Sequence, residues 1–173
     1  MRLKGKRVVI LVDEGFEDLE FWVPRMRLEE EGAEIVIASR KPGTYRGKHC
    51  LTATAEVAAR DLRAADFDAV VVPGGWAPDK LRRDPGVLDL VRDAYHQGKI
   101  VASICHGGWV LISAGIVAGH RATGSTGIRD DLVNAGATWV DEPAFREGNL
   151  VWGRVVKDIP AFCRELVAAL SEA

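Results

Sequence analysis

The sequence predicts an α/β sandwich built on a mostly parallel sheet, and two observations carry that expectation. Four short apolar runs, residues 8–12, 35–38, 69–72 and 100–104, are β-branched and continuous rather than alternating. Strands buried on both faces read this way. Helical patterns lie between or after these runs, and strands alternating with helices build parallel βαβ units.

Each element has its own signal. Residues 17–31 are amphipathic and stop at Gly32, and Pro24, which has no N–H to give, is expected to split that helix in two. Residues 43–56 read as a hairpin turning at Arg46-Gly47-Lys48. Asp84-Pro85-Gly86 opens a helix that runs to about Gln97. Asp84 is a good N-cap, Pro85 suits the first turn, and Gly98 is a C-terminal stop. A short helix spans Gly127 to Ala135, and residues 144–155 form a second hairpin turning at Glu147-Gly148-Asn149. The last helix sets Ile159, Phe162, Cys163, Leu166, Val167 and Leu170 on one stripe. No repeat, low-complexity tract or linker intervenes, so residues 1–173 read as a single domain.

Composition narrows the function. Hydrophobic residues make up 47% and charged residues 28%, which argues for a globular chain and against disorder or coiled coil. Lys plus Arg is 23 against 25 for Asp plus Glu, a net charge of -2 with no long like-charge run. A nucleic-acid module would carry a basic face, so small-molecule or protein partners are expected. No apolar run reaches the ~18 residues of a membrane helix. The basic start is followed only by the apolar stretch Val8–Val12, too short for a signal-peptide core, so a cytoplasmic location is expected. Three cysteines, Cys50, Cys105 and Cys163, without a CxxC pair argue against a disulfide framework and a zinc site. There is no Walker motif and no G-x-G-x-x-G after the first strand, so no cofactor is implied.

Ligands of open α/β sheets bind beyond the carboxyl ends of the strands. Three segments fall there: Asp13 to Asp18, Pro73-Gly74-Gly75-Trp76, and Ser103 to Gly108. Cys105 stands where a buried strand meets the next helix, with Ser103, Gly107 and Gly108 as small neighbours. That is the pattern of a nucleophile elbow. An isolated cysteine is more often inert core, but this context favours a nucleophile whose pKa the following helix would lower. The amides of Gly75 and His106 are candidate oxyanion donors, although Pro-Gly-Gly alone also reads as a plain turn. Glu17 belongs to a dense acidic patch with Asp13, Glu14, Asp18 and Glu20, and one carboxyl near Cys105 could hydrogen-bond the sulfur and, desolvated in a crevice, stay protonated. Acids in a first helical turn also simply complement the helix dipole. His106 is expected at the crevice rim, its side chain diverging from Cys105. Trp76 and Trp109 are candidate crevice walls. Cys163 reads as core, Cys50 as an edge residue, and His96 and His120 as solvated.

At these residues the sequence resembles the ThiJ/PfpI family, within the glutamine-amidotransferase-like superfamily. The matching stretches include Phe16-Glu17-Asp18-Leu19-Glu20, Val72-Pro73-Gly74-Gly75, Val101-Ala102-Ser103-Ile104-Cys105-His106-Gly107 and Gly127 to Gly136. The resemblance implies a flavodoxin-like three-layer fold with a mostly parallel central sheet. It implies a nucleophile at Cys105, a Glu17 that contacts it, and His106 as its partner. It also implies a homodimer or larger homo-oligomer, because PfpI-type members support the histidine with a glutamate from a neighbouring subunit. Asp79, one methylene shorter, holds that position. Gly108-Trp109 replaces the common Pro-Gln, and Ser125 replaces a common tyrosine. No His-x-Glu follows as in amidotransferase glutaminases, since His120 is the last histidine. The resemblance implies a stress-response cysteine enzyme acting on small carbonyls, as glyoxalase or deglycase, or on peptides. A redox sensor or chaperone using an oxidisable Cys105 is the alternative.

Overall fold

A computed structural model describes residues 1–173. The elements run β1 (Arg7–Leu11), α1 (Asp18–Glu30), β2 (Glu34–Ser39), β3 (Gly43–Arg46), β4 (Thr52–Ala55), β5 (Val57–Ala58) and β6 (Ala69–Val72). They continue with α2 (Ala77–Leu81), α3 (Pro85–His96), β7 (Ile100–Ile104), α4 (Gly108–Ser113), β8 (Arg121–Ala122), α5 (Arg129–Asn134) and β9 (Thr138–Trp139). The chain ends with β10 (Ala144–Glu147), β11 (Leu150–Gly153) and α6 (Ile159–Glu172).

Seven strands form the central sheet in the order β10-β11-β7-β6-β1-β2-β5. All neighbours are parallel except β10, which runs antiparallel to β11. The α/β sandwich with a mostly parallel sheet is therefore the observed architecture. The four apolar runs are its centre: β6 and β7 are buried at every residue, and β1 from Val8 onward. Helices α1 and α6 pack together in one layer, and α2, α3, α4 and α5 pack with one another in the other. Strand order reverses on either side of β1, with β2 to one side and β6 to the other. The carboxyl ends of β1, β6 and β7 thus flank a topological switch point, where a crevice opens.

Both hairpins are present, with β3 paired to β4 and β10 to β11. The first turns over a longer loop than expected, with Cys50 at φ +78 closing it. Asp84 caps α3 by accepting from the Val87 amide at 3.0 Å, and the whole predicted stripe of α6 is buried.

One helix departs from expectation. Pro24 does not split α1, which runs unbroken over 13 residues. An interior proline costs about 3 kcal/mol through its lost hydrogen bond and ring clash. Burying Phe21, Pro24 and Leu28 against the core offsets that cost, since each full side-chain burial contributes about 1.5–3 kcal/mol.

Candidate active site

β7 ends at Ile104, and Cys105 begins a 3-10 turn, Cys105–Gly107, that leads into α4. Cys105 has φ +60, a left-handed conformation costly for a non-glycine residue. The elbow needs two close approaches. A Cβ at Gly107 would collide with the Val72 carbonyl oxygen. A Cβ at Gly74 would collide with Glu20 Oε1 and lie 2.9 Å from Cys105 Cβ and 3.0 Å from the His106 amide nitrogen. The Pro-Gly-Gly turn therefore does more than reverse the chain: it lets the end of β6 approach Cys105 closely.

The three predicted loops converge on one crevice of about 510 Å³. Its lining brings together Glu17, Glu20, Gly75, Trp76, Cys105, His106 and Trp109 with Lys48, His49, Val155, Val156 and Lys157. Both expected tryptophans are walls. Ser125 instead accepts from the Gly127 amide at 3.2 Å and lies outside this crevice.

The carboxyl against Cys105 is Glu20, which corrects the expectation for Glu17. Glu17 is the N-cap of α1, and its Oε2 accepts from the Glu20 amide at 2.8 Å, so it is turned back onto its own helix. Glu20 lies three residues on, in the first turn of α1, and is fully buried. Its Oε1 accepts from the Gly74 amide at 2.9 Å. Its Oε2 has no nitrogen or oxygen partner, and the carboxyl and the Cys105 thiol form a hydrogen-bonded pair. Burial, then repulsion from Glu17, pushes the Glu20 pKa up to about 8. Glu20 therefore remains protonated at neutral pH.

The expected low thiol pKa is also corrected. Burial first, and the Glu20 carboxylate second, push Cys105 up to about 12. The His106 amide, which donates to the sulfur, pulls the other way but does not win. The turn into α4 is too short and the sulfur too buried for end-of-helix amides to dominate. Cys105 rests as a neutral thiol, and the proton it shares with Glu20 belongs to the pair.

His106 does not diverge from Cys105. Its Nδ1 lies 3.3 Å from Sγ, because the positive φ at Cys105 folds the two side chains to the same side. Burial, then Lys48, lowers the His106 pKa, leaving a neutral imidazole. It packs edge-on to Trp109 with ring centroids 5.1 Å apart.

Gly75 bridges to Phe16, but the bridging bonds run from the Glu17 amide to Gly74 O and from the Trp76 amide to Gly15 O. The Gly75 N–H takes no part and is left at the crevice wall. The His106 amide, the other candidate oxyanion donor, points at the sulfur. Asp79 sits outside this crevice, paired with Arg83 at 2.8 Å on the surface of α2. Cys163 is buried and Cys50 exposed, as expected. His120 is not solvated as expected: it is half-buried, with Nε2 2.6 Å from the Tyr95 hydroxyl. No group of three or more His, Cys, Asp or Glu side chains is arranged to hold a metal, and no helix is long and apolar enough to cross a membrane.

The profile of the DJ-1/PfpI family matches residues 6–169. The chain belongs to the DJ-1/PfpI family. A deglycase of Pyrococcus abyssi is 44% identical over 95% of this chain and 99% of its own length. Protein/nucleic acid deglycase 2 of Escherichia coli is 36% identical over 96% of this chain and 98% of its own length. The crystal structure of a two-domain Anabaena variabilis protein with DJ-1/ThiJ/PfpI-like and ferritin-like domains superposes with a TM-score of 0.94 at 40% identity. That match covers 95% of this chain and 50% of the Anabaena chain. These names support enzymatic activity within the DJ-1/PfpI family.

Lys48, His49, Lys157 and Glu20 are the crevice residues that sequence reasoning missed as site residues. For Glu20 the signal lies in the capping pattern rather than in helical phase. Position 17 falls in the i, i+4, i+7, i+11 phase of Phe21, Pro24 and Leu28, but an N-cap turns Glu17 back onto the Glu20 amide, which leaves Glu20 as the carboxyl at the sulfur. Lys48 and Lys157 lie in loops, where no periodicity betrays direction.

Proposed function

We propose that this DJ-1/PfpI chain is a cytoplasmic, cysteine-dependent enzyme that converts small electrophilic carbonyls, in the manner of a glyoxalase or deglycase. The observation that supports this best is the opposed tuning of two groups around one thiol. Glu20 is pushed up to about 8 while His106 is lowered. A site that pushes two titratable groups apart assigns them acid and base roles.

With methylglyoxal, Sγ of Cys105 bonds to the aldehyde carbon as its proton passes to His106 Nδ1. The Gly75 N–H and the Glu20 acid meet the oxygen, which takes up a proton, giving a hemithioacetal. His106 passes its proton to the Glu20 carboxylate, which the hemithioacetal oxygen had deprotonated. It then takes one from the former aldehyde carbon as Glu20 protonates the ketone oxygen, giving an enediol. His106 delivers its proton to the neighbouring carbon while the hydroxyl on the former aldehyde carbon gives its proton back to Glu20, leaving a lactoyl thioester. Water cleaves it to lactate and restores the thiol. The sum is methylglyoxal plus water to lactate, with no external oxidant or reductant. The thiol need not stand ionised at rest, because the base lies 3.3 Å away.

A compact crevice suits small carbonyls better than an extended peptide. A redox sensor would favour an exposed, ionised thiol, and Cys105 is neither. The oligomeric role of Asp79 belongs to this reading: its surface position leaves it available to a neighbouring subunit.

The test is lactate formation from methylglyoxal without glutathione, in the native protein and in Cys105→Ser. Multiple turnovers that vanish in the variant are expected. Absence of turnover with Cys105 verified as reduced would reject this substrate class.

A further inference from the structure

Two lysines enter the crevice from separate segments, Lys48 from the β3–β4 loop and Lys157 from the turn before α6. Neither side chain has a carboxylate partner, whereas most arginines of the chain are paired. Lys48 is also held in place. Its amide donates to Phe16 O at 2.9 Å. The buried Asp18 carboxylate accepts from the amides of His49 and Leu51, each at 2.8 Å. Gly47 lets Asp18 come close, since a Cβ there would collide with Asp18 Oδ1. The Lys48 ammonium lies 5.5 Å from the Trp76 ring centroid, over a crevice wall. A surface lysine is ordinarily free to wander; here a buried carboxylate fixes the loop that carries it.

The negative side of the lining is weaker. Glu17 Oε2 is engaged by the Glu20 amide, and its Oε1 lies 3.8 Å from His49 Nε2. Glu20 holds its proton at neutral pH. Two lysines thus line the crevice against one occupied carboxylate, and the lining carries a net positive charge.

We propose that Lys48, assisted by Lys157, makes this site selective for α-oxoaldehydes that carry a carboxylate a few carbons from the reacting carbonyl. This deepens the carbonyl-processing reading and rests on it. The lysine holds the anionic end while Cys105 takes the aldehyde end. For 4,5-dioxopentanoate the sum is substrate plus water to 2-hydroxyglutarate, the same balance as methylglyoxal to lactate. A fixed cation in a confined crevice should favour such a substrate over its neutral counterpart by about tenfold or more.

The experiment compares kcat/KM for 4,5-dioxopentanoate with that for neutral 2-oxopentanal. The native ratio should be about ten or higher and should fall with added salt. Lys48→Met should bring it down toward one, Lys48→Arg should keep it, and Lys48→Glu should invert it. A native ratio near one, or a ratio unmoved in Lys48→Met, overturns the proposal. A parallel measurement stands apart from turnover: protection of Cys105 from iodoacetamide by 4-oxopentanoate, with 2-pentanone as the neutral control. Protection by the anion alone, lost in Lys48→Met, upholds anion selection even where neither aldehyde is turned over, which would reject the reaction but not the lysine's role. Equal or absent protection by the two compounds overturns it.

Discussion

At the scale of residues, Glu20 and Cys105 form one unit. Glu20 is fully buried, accepts one amide at 2.9 Å, and keeps a second oxygen without a nitrogen or oxygen partner. Its folded pKa of about 8 lies above the ordinary 4.5. A raised carboxyl pKa means the folded state binds the proton more tightly than the unfolded chain. The stability this contributes is whole below 4.5 and is lost as pH rises through about 8. Urea unfolding of the native protein and of Glu20→Gln should therefore diverge with pH. The native protein should lose up to about 5 kcal/mol relative to the variant by about pH 9. Parallel stability curves would show that Glu20 ionises freely in the fold. The elbow at Cys105 was legible in the sequence because such a turn demands small residues around it, and Ser103, Gly107 and Gly108 supply them. Its carboxyl partner was misplaced by one helical turn. Five acids crowd residues 13–20, four of them buried, and only their tertiary partners distinguish them: Asp13 pairs with Arg40, Glu17 caps α1, and Asp18 clamps the β3–β4 loop. The thiol pKa was misjudged for a related reason: burial is a property of the assembled fold, while the following helix is visible in the chain.

At the scale of elements, the site depends on how closely β6 and the elbow after β7 approach. Gly107 sits against the Val72 carbonyl, with no room for a methyl group. Backbone cannot move aside as a flexible side chain can, so Gly107→Ala should destabilise the fold by about 1–3 kcal/mol or more. Thermal unfolding of that variant is the measurement, and an unchanged midpoint would show that the elbow tolerates a wider separation. The central strands were legible because continuous β-branched runs have few other uses. The continuity of α1 was not, because proline's local cost is visible and the packing of Phe21, Pro24 and Leu28 that offsets it is not. The short β5, β8 and β9 carry too few residues for any periodicity. The loop from Gly47 to Leu51 reads as a turn, and its clamp by Asp18 is a contact between residues 31 and 33 positions apart.

At the scale of the whole molecule, the sheet order places three loop clusters at one switch point, and family membership follows from nearly the full length of the chain. Asp79 stands outside that site and is paired on the surface. If the assembly completes the site in trans, subunits of Asp79→Ala and Cys105→Ser, each impaired alone, should regain turnover when mixed and reassembled. A mixed population with Cys105 intact on one subunit and Asp79 on the other supplies one complete site. Native turnover in Asp79→Ala alone, or no recovery on mixing, would confine the chemistry to a single chain.

The central claim is that Cys105 works with Glu20 as its acid. Methylglyoxal turnover to lactate, measured side by side in Glu20→Gln and Glu17→Gln, tests it most directly. The account predicts a fall of about 10²-fold or more for Glu20→Gln, the range of a lost acid–base group, and a fall below about tenfold for Glu17→Gln, which weakens a cap and removes one contribution to the raised Glu20 pKa while leaving burial, the larger one, in place. The reverse order, with Glu17→Gln inactive and Glu20→Gln near native, would contradict it.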